Sequence, residues 1–371
     1  MINRIFVFIF CFISFASAQT PIERADRLFT DMAALPSVPG INVAVADENG
    51  LLWAKGFGYA DIEHRVPMTP ATKMRIGSVA KVITTAAMMK MVERGELSLD
   101  ADIRVYVPEW PEKHPMITLR QLANHTSGIR HYEGNEFLSN VQYDNSLSAL
   151  EIFSDSDLKF PPGRSYSYTT YGWTLVSAAM EAVSRKSFKD IIRDEVIIPL
   201  GLNDTTFDDA NIMIENRQSA YDFLDGELKN SPEVNVSYKY AGGGFLATPA
   251  DVVTFTMAHV NSGFLTQETL DQMFQRSNIS PHGIGWVVGF QRYINNFSGN
   301  PATRDEMMRI MSEHPSAVMH SGGSTGALTM MILCLDHKHS VALTKNVGNG
   351  PDANHFELAL RTLDIFHNDD E

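Results

Sequence analysis

The chain has 371 residues, a formal charge of −14, 44% hydrophobic residues and 20% charged residues. That length supports one large domain or two intimately packed ones with a real core. The acid excess, without any Lys/Arg cluster, excludes nucleic acid and anionic membrane surfaces as expected partners.

Asn3 and Arg4, the apolar run IFVFIFCFISF and then Ala16-Ser17-Ala18 have the order of a secretory signal peptide, so residues 1–18 are expected to leave by cleavage before Gln19. The apolar run is short for a membrane span of roughly 20 residues. Arg4 is the only charge lost with it, which takes the net charge to −15. Cys11 leaves as well, so Cys334 in MILCLD has no internal disulfide partner. The expected location is secreted, or periplasmic in a bacterium, with no membrane anchor after cleavage. Sequons at Asn124, Asn203, Asn235, Asn278 and Asn296 read as chance occurrences unless the chain passes a glycosylating pathway.

A short helix is expected near Pro21 to Leu35, then a hairpin in INVAVADENGLLWAKGFGYAD, whose two β-branched, apolar-rich runs are joined by ENG. SVAKVITTAAMMKMVERG reads as a helix closed by Gly95, and LRQLANHTSG as a shorter one closed at Gly128. Further helices are expected at Tyr171 to Ser184 and Phe188 to Val196. From Ala317 the pattern returns to strands in AVMHSGG, ALTMMILCLD and SVALTKNVG, before a last helix from Asn354 to Phe366 and an acidic tail. The ends of the chain therefore build an α/β part (about 21–75 and 280–371) around an inserted, mainly helical part (about 76–279). A cleft is expected where the first inserted helix meets the late strands. His337 and His339 sit in a hairpin turn without further ligands nearby in sequence, so no metal and no cofactor is expected.

The helix beginning at Ser78 carries Lys81 among apolar residues, and residues three apart share a helix face. Gly77 places Ser78 at the helix start, where free N–H groups favour negative charge. A serine hydroxyl is a poor nucleophile until its proton is taken, and a desolvated lysine can contribute to that. Ser156-Asp-Leu-Lys159 is a second match to the same spacing, but it runs into FPPG and lacks an apolar helix. Tyr168-Thr169-Thr170 precedes an expected helix, and His320-Ser321-Gly322 lies on an expected strand followed by small residues. A tyrosine beside a cationic lysine can be held partly as phenolate and act as a base. Small residues on a strand let a substrate backbone approach a main-chain N–H donor. Each triplet alone is more often ordinary structure; their occurrence together, in this order, points to acyl transfer.

Together these residues resemble the Ser-x-x-Lys, Tyr-x-Asn and Lys-Thr-Gly motifs of the serine beta-lactamase and penicillin-binding protein superfamily, in its class C-like branch (peptidase family S12 type). Within that branch, GYADIEHRVPMTPATKMRIGSVAK, VPEWPEK, HTSGIRHYE, YTTYGWTLVSAAME, SYKYAGGGFLAT and HSGGSTGA resemble the serine beta-lactamase-like peptidases of animals, over roughly Pro39 to Gly348. The resemblance implies a beta-lactamase/transpeptidase-like α/β fold, an antiparallel sheet flanked by helices with a mostly helical insert. It implies Ser78 as acylated nucleophile, Lys81 as its proton-transfer partner and Tyr168 as general base. The N–H groups of Ser78 and Gly323 would form the oxyanion hole, and Thr170, His320, Ser321 and Gly322 would meet the substrate, a peptide or small acyl compound.

Two departures stand out. Thr170 replaces an amide donor by a single hydroxyl. His320 replaces a fixed cation by a group that is expected to titrate in the ordinary histidine range, so capture of carboxylates should improve as pH falls through it. Both weaken the expectation of beta-lactam hydrolysis relative to peptide hydrolysis. Small-ester or beta-lactam hydrolysis is the alternative, and a non-catalytic scaffold the alternative of another class. The chain is short between RHYEG and FPPG, where vertebrate members carry a charged insertion, so self-association is left open. A mitochondrial intermembrane location follows only by analogy with those members.

Overall fold

The computed structural model describes residues 19–261, 263–294, 301–351 and 354–367. The expected signal peptide, the Asn296 sequon and the acidic tail from residue 368 lie outside the described residues. Helix α1 (Pro21–Ala33) starts with a capping box, in which Thr20 and Glu23 satisfy each other's backbone N–H. Strands β1 (Gly40–Asp47) and β2 (Gly50–Asp61) form the hairpin foreseen at ENG. Asp47 closes the turn by accepting the N–H groups of Asn49 (2.7 Å) and Gly50 (3.1 Å). The short β3 (Val66–Pro67) ends this edge of the sheet.

The middle of the chain contributes α2 (Ala80–Glu93), α3 (Leu119–Ala123), α4 (Tyr171–Ser184), α5 (Phe188–Ile192), α6 (Tyr240–Gly243) and α7 (Pro249–Met257). The chain then returns through β4 (Val287–Val288), α8 (Pro301–Glu313), β5 (Ala317–Ser324), β6 (Ala327–Cys334), β7 (His339–Lys345) and α9 (His355–His367). One antiparallel seven-stranded sheet results, in the order β3-β2-β1-β7-β6-β5-β4. The first and last long strands pair at its centre, with Val43 opposite Leu343.

Strand periodicity divides the core. Ile41, Val43 and Val45 face a cluster with Phe29, Trp53, Phe57, Leu360 and Phe366 of α1, β2 and α9. Ala44, Ala46 and Ala342 face the other cluster, which contains α2, α4 and α7. The sheet is thus covered on both faces, and β1 is buried at every position but its last.

Several elements differ from the sequence expectation. Ser78 lies in a 3-10 turn, Gly77–Val79, and the α-helix proper begins at Ala80. The expected helix Phe188 to Val196 is α5 followed by a π turn, Arg193–Ile197. Within the mainly helical middle, Thr206–Phe207 and Phe245–Ala247 join Met74–Arg75, which lies just before it, in a small sheet that no sequence pattern marked. Helix α7 from that middle packs on β1 and β7 of the main sheet. Its start carries a legible signal that the pattern reading passed over: Thr248 caps the Asp251 N–H and Pro249 stands in the first turn.

Candidate active site

Gly77 has φ +49°, and a Cβ there would lie 2.6 Å from the Gly323 carbonyl oxygen. A Cβ on Gly322 would strike the Ile76 carbonyl. These two glycines let β5 run against the backbone that carries Ser78, so the late strand and the first inserted helix share one cleft wall. Ser78, Tyr168, Thr170, His320, Ser321 and Gly323 all line that cleft, of about 330 Å³.

Lys81 has no exposure. Its Nζ lies 3.0 Å from Ser78 Oγ, 3.2 Å from Thr170 Oγ1 and 2.5 Å from the Gly242 carbonyl oxygen. No carboxylate among the described residues compensates it; burial holds its pKa well below the ordinary lysine value, and the nearby Lys239 adds to this. A neutral amine has two N–H groups and one lone pair. The Gly242 carbonyl can only accept, and Thr170 Oγ1 takes the other N–H, which leaves the lone pair for the Ser78 hydroxyl proton.

Tyr168 also meets Ser78, to which its hydroxyl is hydrogen-bonded. Its ring lies 5.0 Å from Lys81 Nζ and is tilted against His125, at 4.3 Å between centroids. The phenolate expected from a cationic lysine is not what this environment supports. Burial pushes the phenol well above its ordinary value, outweighing the Ser78 hydrogen bond and the nearby Arg292. Tyr168 therefore rests as a neutral phenol. The loop that carries it is held by the HTSGIRHYE segment: the Thr169 N–H donates to His125 Nδ1 and the Thr170 N–H to His131 Nδ1, both at 3.2 Å. Thr170 also has its hydroxyl engaged, by Lys81 and by a hydrogen bond with Tyr132. It holds the lysine instead of presenting a free substrate donor.

His320 also departs from expectation. It is 2% exposed, and burial pushes its pKa to about 3. The imidazole does not titrate in the ordinary histidine range. Its Nδ1 lies 2.6 Å from the Ser321 carbonyl oxygen, which only accepts, so Nδ1 carries the proton and Nε2 is a lone pair. That Nε2 is buried without a hydrogen-bond partner among the described residues. His320 thus offers a fixed lone pair where a titrating group was expected, and it is not a carboxylate-reading group. Ser321 Oγ accepts from the Tyr293 hydroxyl at 3.3 Å.

The cations of the cleft are residues that sequence reasoning missed. Arg292 lines it, with its guanidinium 5.6 Å from the Tyr168 ring. Lys239 lines it too, enclosed by the rings of Phe137 (4.2 Å), Tyr132 and Tyr238 (both 5.1 Å). Burial pushes the Lys239 ammonium down to about 7, with Arg75 adding and Asp208 opposing. Lys239 stood within the quoted SYKYAGGG, and His131 and Tyr132 within HTSGIRHYE, so the segments were visible although their roles were not. Arg292 carried no such signal. The second Ser-x-x-Lys copy lies apart: Ser156 accepts from Arg130 Nε at 2.8 Å, and Lys159 Nζ contacts Ser167 Oγ at 3.4 Å.

A family model described as Beta-lactamase matches residues 25–364. The chain is 31% identical over 287 residues to "Serine beta-lactamase-like protein LACTB, mitochondrial" of Homo sapiens, covering 58% of this chain and 52% of that protein. It spans about half the length of the three mammalian relatives it matches. D-amino acid amidase from Ochrobactrum anthropi SV3 superposes with a TM-score of 0.78 at 21% identity, covering 95% of this chain and 99% of the other. The octameric penicillin-binding protein homologue from Pyrococcus abyssi gives 0.74 at 23% identity, covering 93% and 77%. These likenesses establish a beta-lactamase/transpeptidase-like fold.

Proposed function

Since this chain belongs to the beta-lactamase family of serine hydrolases, we propose that it forms a covalent acyl-enzyme on Ser78 and acts as a LACTB-like serine peptidase. The observation that carries this reading is the fully buried Lys81, faced by no carboxylate among the described residues, with its pKa held well below the ordinary lysine value and its Nζ 3.0 Å from Ser78 Oγ. Lys81 takes the Ser78 proton as Oγ attacks the scissile carbonyl. The tetrahedral oxyanion is held by the Ser78 N–H, in the 3-10 turn that precedes α2, and the Gly323 N–H on β5. Collapse breaks the C–N bond, and the leaving amine takes its proton from the neutral phenol of Tyr168. The Lys81 ammonium then returns its proton to the phenolate. Water enters by the reverse route, releasing the acid and restoring Ser78.

Tyr132 and Phe137 offer apolar surface, and Arg292 and Lys239 offer positive charge. A peptide or acyl substrate with an anionic end fits that lining. The Gly77–Gly323 approach and the intact Ser78–Lys81–Tyr168 set support an enzyme over a scaffold. The apolar segment ending in Ala16-Ser17-Ala18 supports export as part of the same reading, and N-terminal sequencing of the released chain should begin at Gln19.

The test is to incubate the protein with a fluorophosphonate probe and with a labelled penicillin, and to map each adduct. An adduct on Ser78 from the fluorophosphonate, together with turnover of peptide amides, is the expected result. Penicillin labelling of equal speed would shift the assignment to a beta-lactam hydrolase, and ester turnover alone to an esterase. The absence of any adduct on Ser78 would overturn the acyl-enzyme reading.

A further inference from the structure

A second group of chemistry-bearing side chains lies at the far end of the strand that carries the cleft residues. Ala317, at the start of β5, pairs with Cys334, the last residue of β6. Six residues of extended strand separate Ala317 from Gly323, about 20 Å at the usual rise. His314 follows α8 and meets Cys334 and His337, the latter in the turn between β6 and β7. His314 Nδ1 lies 3.2 Å from Cys334 Sγ and 3.2 Å from His337 Nδ1, and Sγ lies 3.3 Å from His337 Nδ1. His367, the last residue of α9, places its ring 4.0 Å from that of His337 and 4.9 Å from that of His314. His339, the partner of His337 in the sequence pattern, is not one of the three converging ligands.

Hydrogen bonds alone account poorly for this triangle. An imidazole Nδ1 either donates or accepts, never both, so three mutual two-centre bonds cannot close among two imidazoles and one thiol. A single cation satisfies all three lone pairs at once. In a tetrahedral zinc site, with Zn–N about 2.0–2.1 Å and Zn–S about 2.3 Å, ligand atoms stand about 3.3 Å (N to N) and about 3.6 Å (N to S) apart. The observed edges of 3.2, 3.2 and 3.3 Å are those of one tetrahedral face, with the sulfur edges a few tenths short. Cys334 and His314 are fully buried, whereas His337 and His367 are only partly covered, which leaves an entry path.

We propose that His314, Cys334 and His337 bind a zinc(II) ion, with His367 placed to supply the fourth ligand. The thiol releases its proton to solvent as the Zn–S bond forms. One thiolate and imidazole nitrogens are a borderline-soft set suited to zinc. The site ties α8 and α9 to the β6–β7 turn on the face of the sheet opposite α2. Its role is structural, since no cleft residue takes part.

The chain from Gln19 is stripped with a chelator and titrated with Co²⁺, then with Zn²⁺. The expected result is one equivalent of Co²⁺ with a thiolate-to-cobalt charge-transfer band and intense tetrahedral visible bands, bleached by Zn²⁺, and a thermal midpoint raised by Zn²⁺. Cys334→Ala should abolish the charge-transfer band. His337→Gln, in a surface turn where folding is not at stake, should weaken Zn²⁺ binding by more than the roughly 10- to 100-fold lost with a mere outer-shell partner. Turnover at Ser78 should be unchanged in both variants. Absence of a thiolate band in the native protein, or an identical titration and midpoint shift in His337→Gln, would overturn the site.

Discussion

Replacing Lys81 by methionine separates the base from its surroundings. Methionine keeps an unbranched apolar stem in a position without exposure and removes only the amine 3.0 Å from Ser78 Oγ. A positioned general base contributes about 10²- to 10⁴-fold, which is roughly 2.7 to 5.5 kcal/mol of barrier at about 1.36 kcal/mol per decade. The upper half of that range is expected, because the lone pair is pre-aimed by Gly242 and Thr170 and the phenol of Tyr168 rests protonated. Stability moves in two opposed directions. Loss of the amine relieves its burial cost, while an acceptor left unsatisfied costs about 1–3 kcal/mol, so the variant should remain folded. The assay is the second-order rate of fluorophosphonate labelling across pH, with Ser78→Ala as the zero and thermal melting as the control for folding. In the native protein the rate should hold through neutral pH and fall on the acid side, where Lys81 takes a proton; its lowered pKa places that limb well below the ordinary lysine range. Labelling at the wild-type rate by folded Lys81→Met, or a rate that rises only near the ordinary lysine value, would refute the reasoning.

Tyr168→Phe should slow acylation of amides severely, and the double variant with Lys81→Met should be little worse than the worse single, as for groups acting in one relay; multiplicative losses in single-turnover rates would count against it. Gly77→Ala forces a side chain into φ +49° and to 2.6 Å from the Gly323 carbonyl oxygen, so at least about 1–3 kcal/mol of strain and loss of labelling are expected by denaturation and probe assays. The folded pKa of His320 is about 3 against 6.5 unfolded, so the unfolded state binds the extra proton between these values and stability is lost as pH falls through that window. His320→Gln should remove one proton's slope, up to roughly 1.4 kcal/mol per pH unit, from urea midpoints measured over that range. Ser156→Ala should leave labelling unchanged and cost the about 0.5–1.5 kcal/mol of one hydrogen bond in a melt, because Ser156 only accepts from Arg130.

Local signals in this chain are strong where a residue's role depends on its neighbours in sequence. The alternation of INVAVAD, the turn at Glu48–Gly50, the helix from Tyr171 to Ser184 and the three late strands are all present in the structure at or near their expected limits. Ser78 and Lys81 could be placed together because three residues of helix bring their side chains to one face. The small helices and strands of the middle were less legible, since two- and three-residue elements such as Phe245–Ala247 exist only through pairing with distant partners.

The protonation states were decided by tertiary structure alone. Sequence identifies a lysine, a tyrosine and a histidine, but a pKa depends on how much water and charge surround the group. Burial, with no carboxylate facing it among the described residues, pushes Lys81 toward its neutral, basic form; burial also keeps Tyr168 a phenol and takes His320 out of the physiological range. The sequence established the residues of the cleft's nucleophile and their order. Arg292 and Lys239 entered the cleft, and His314, Cys334 and His337 converged at the opposite end of β5, because the sheet pairs the two ends of the chain and folds the long middle over it. Contacts across such separations are set by packing of whole elements, and no local periodicity records them.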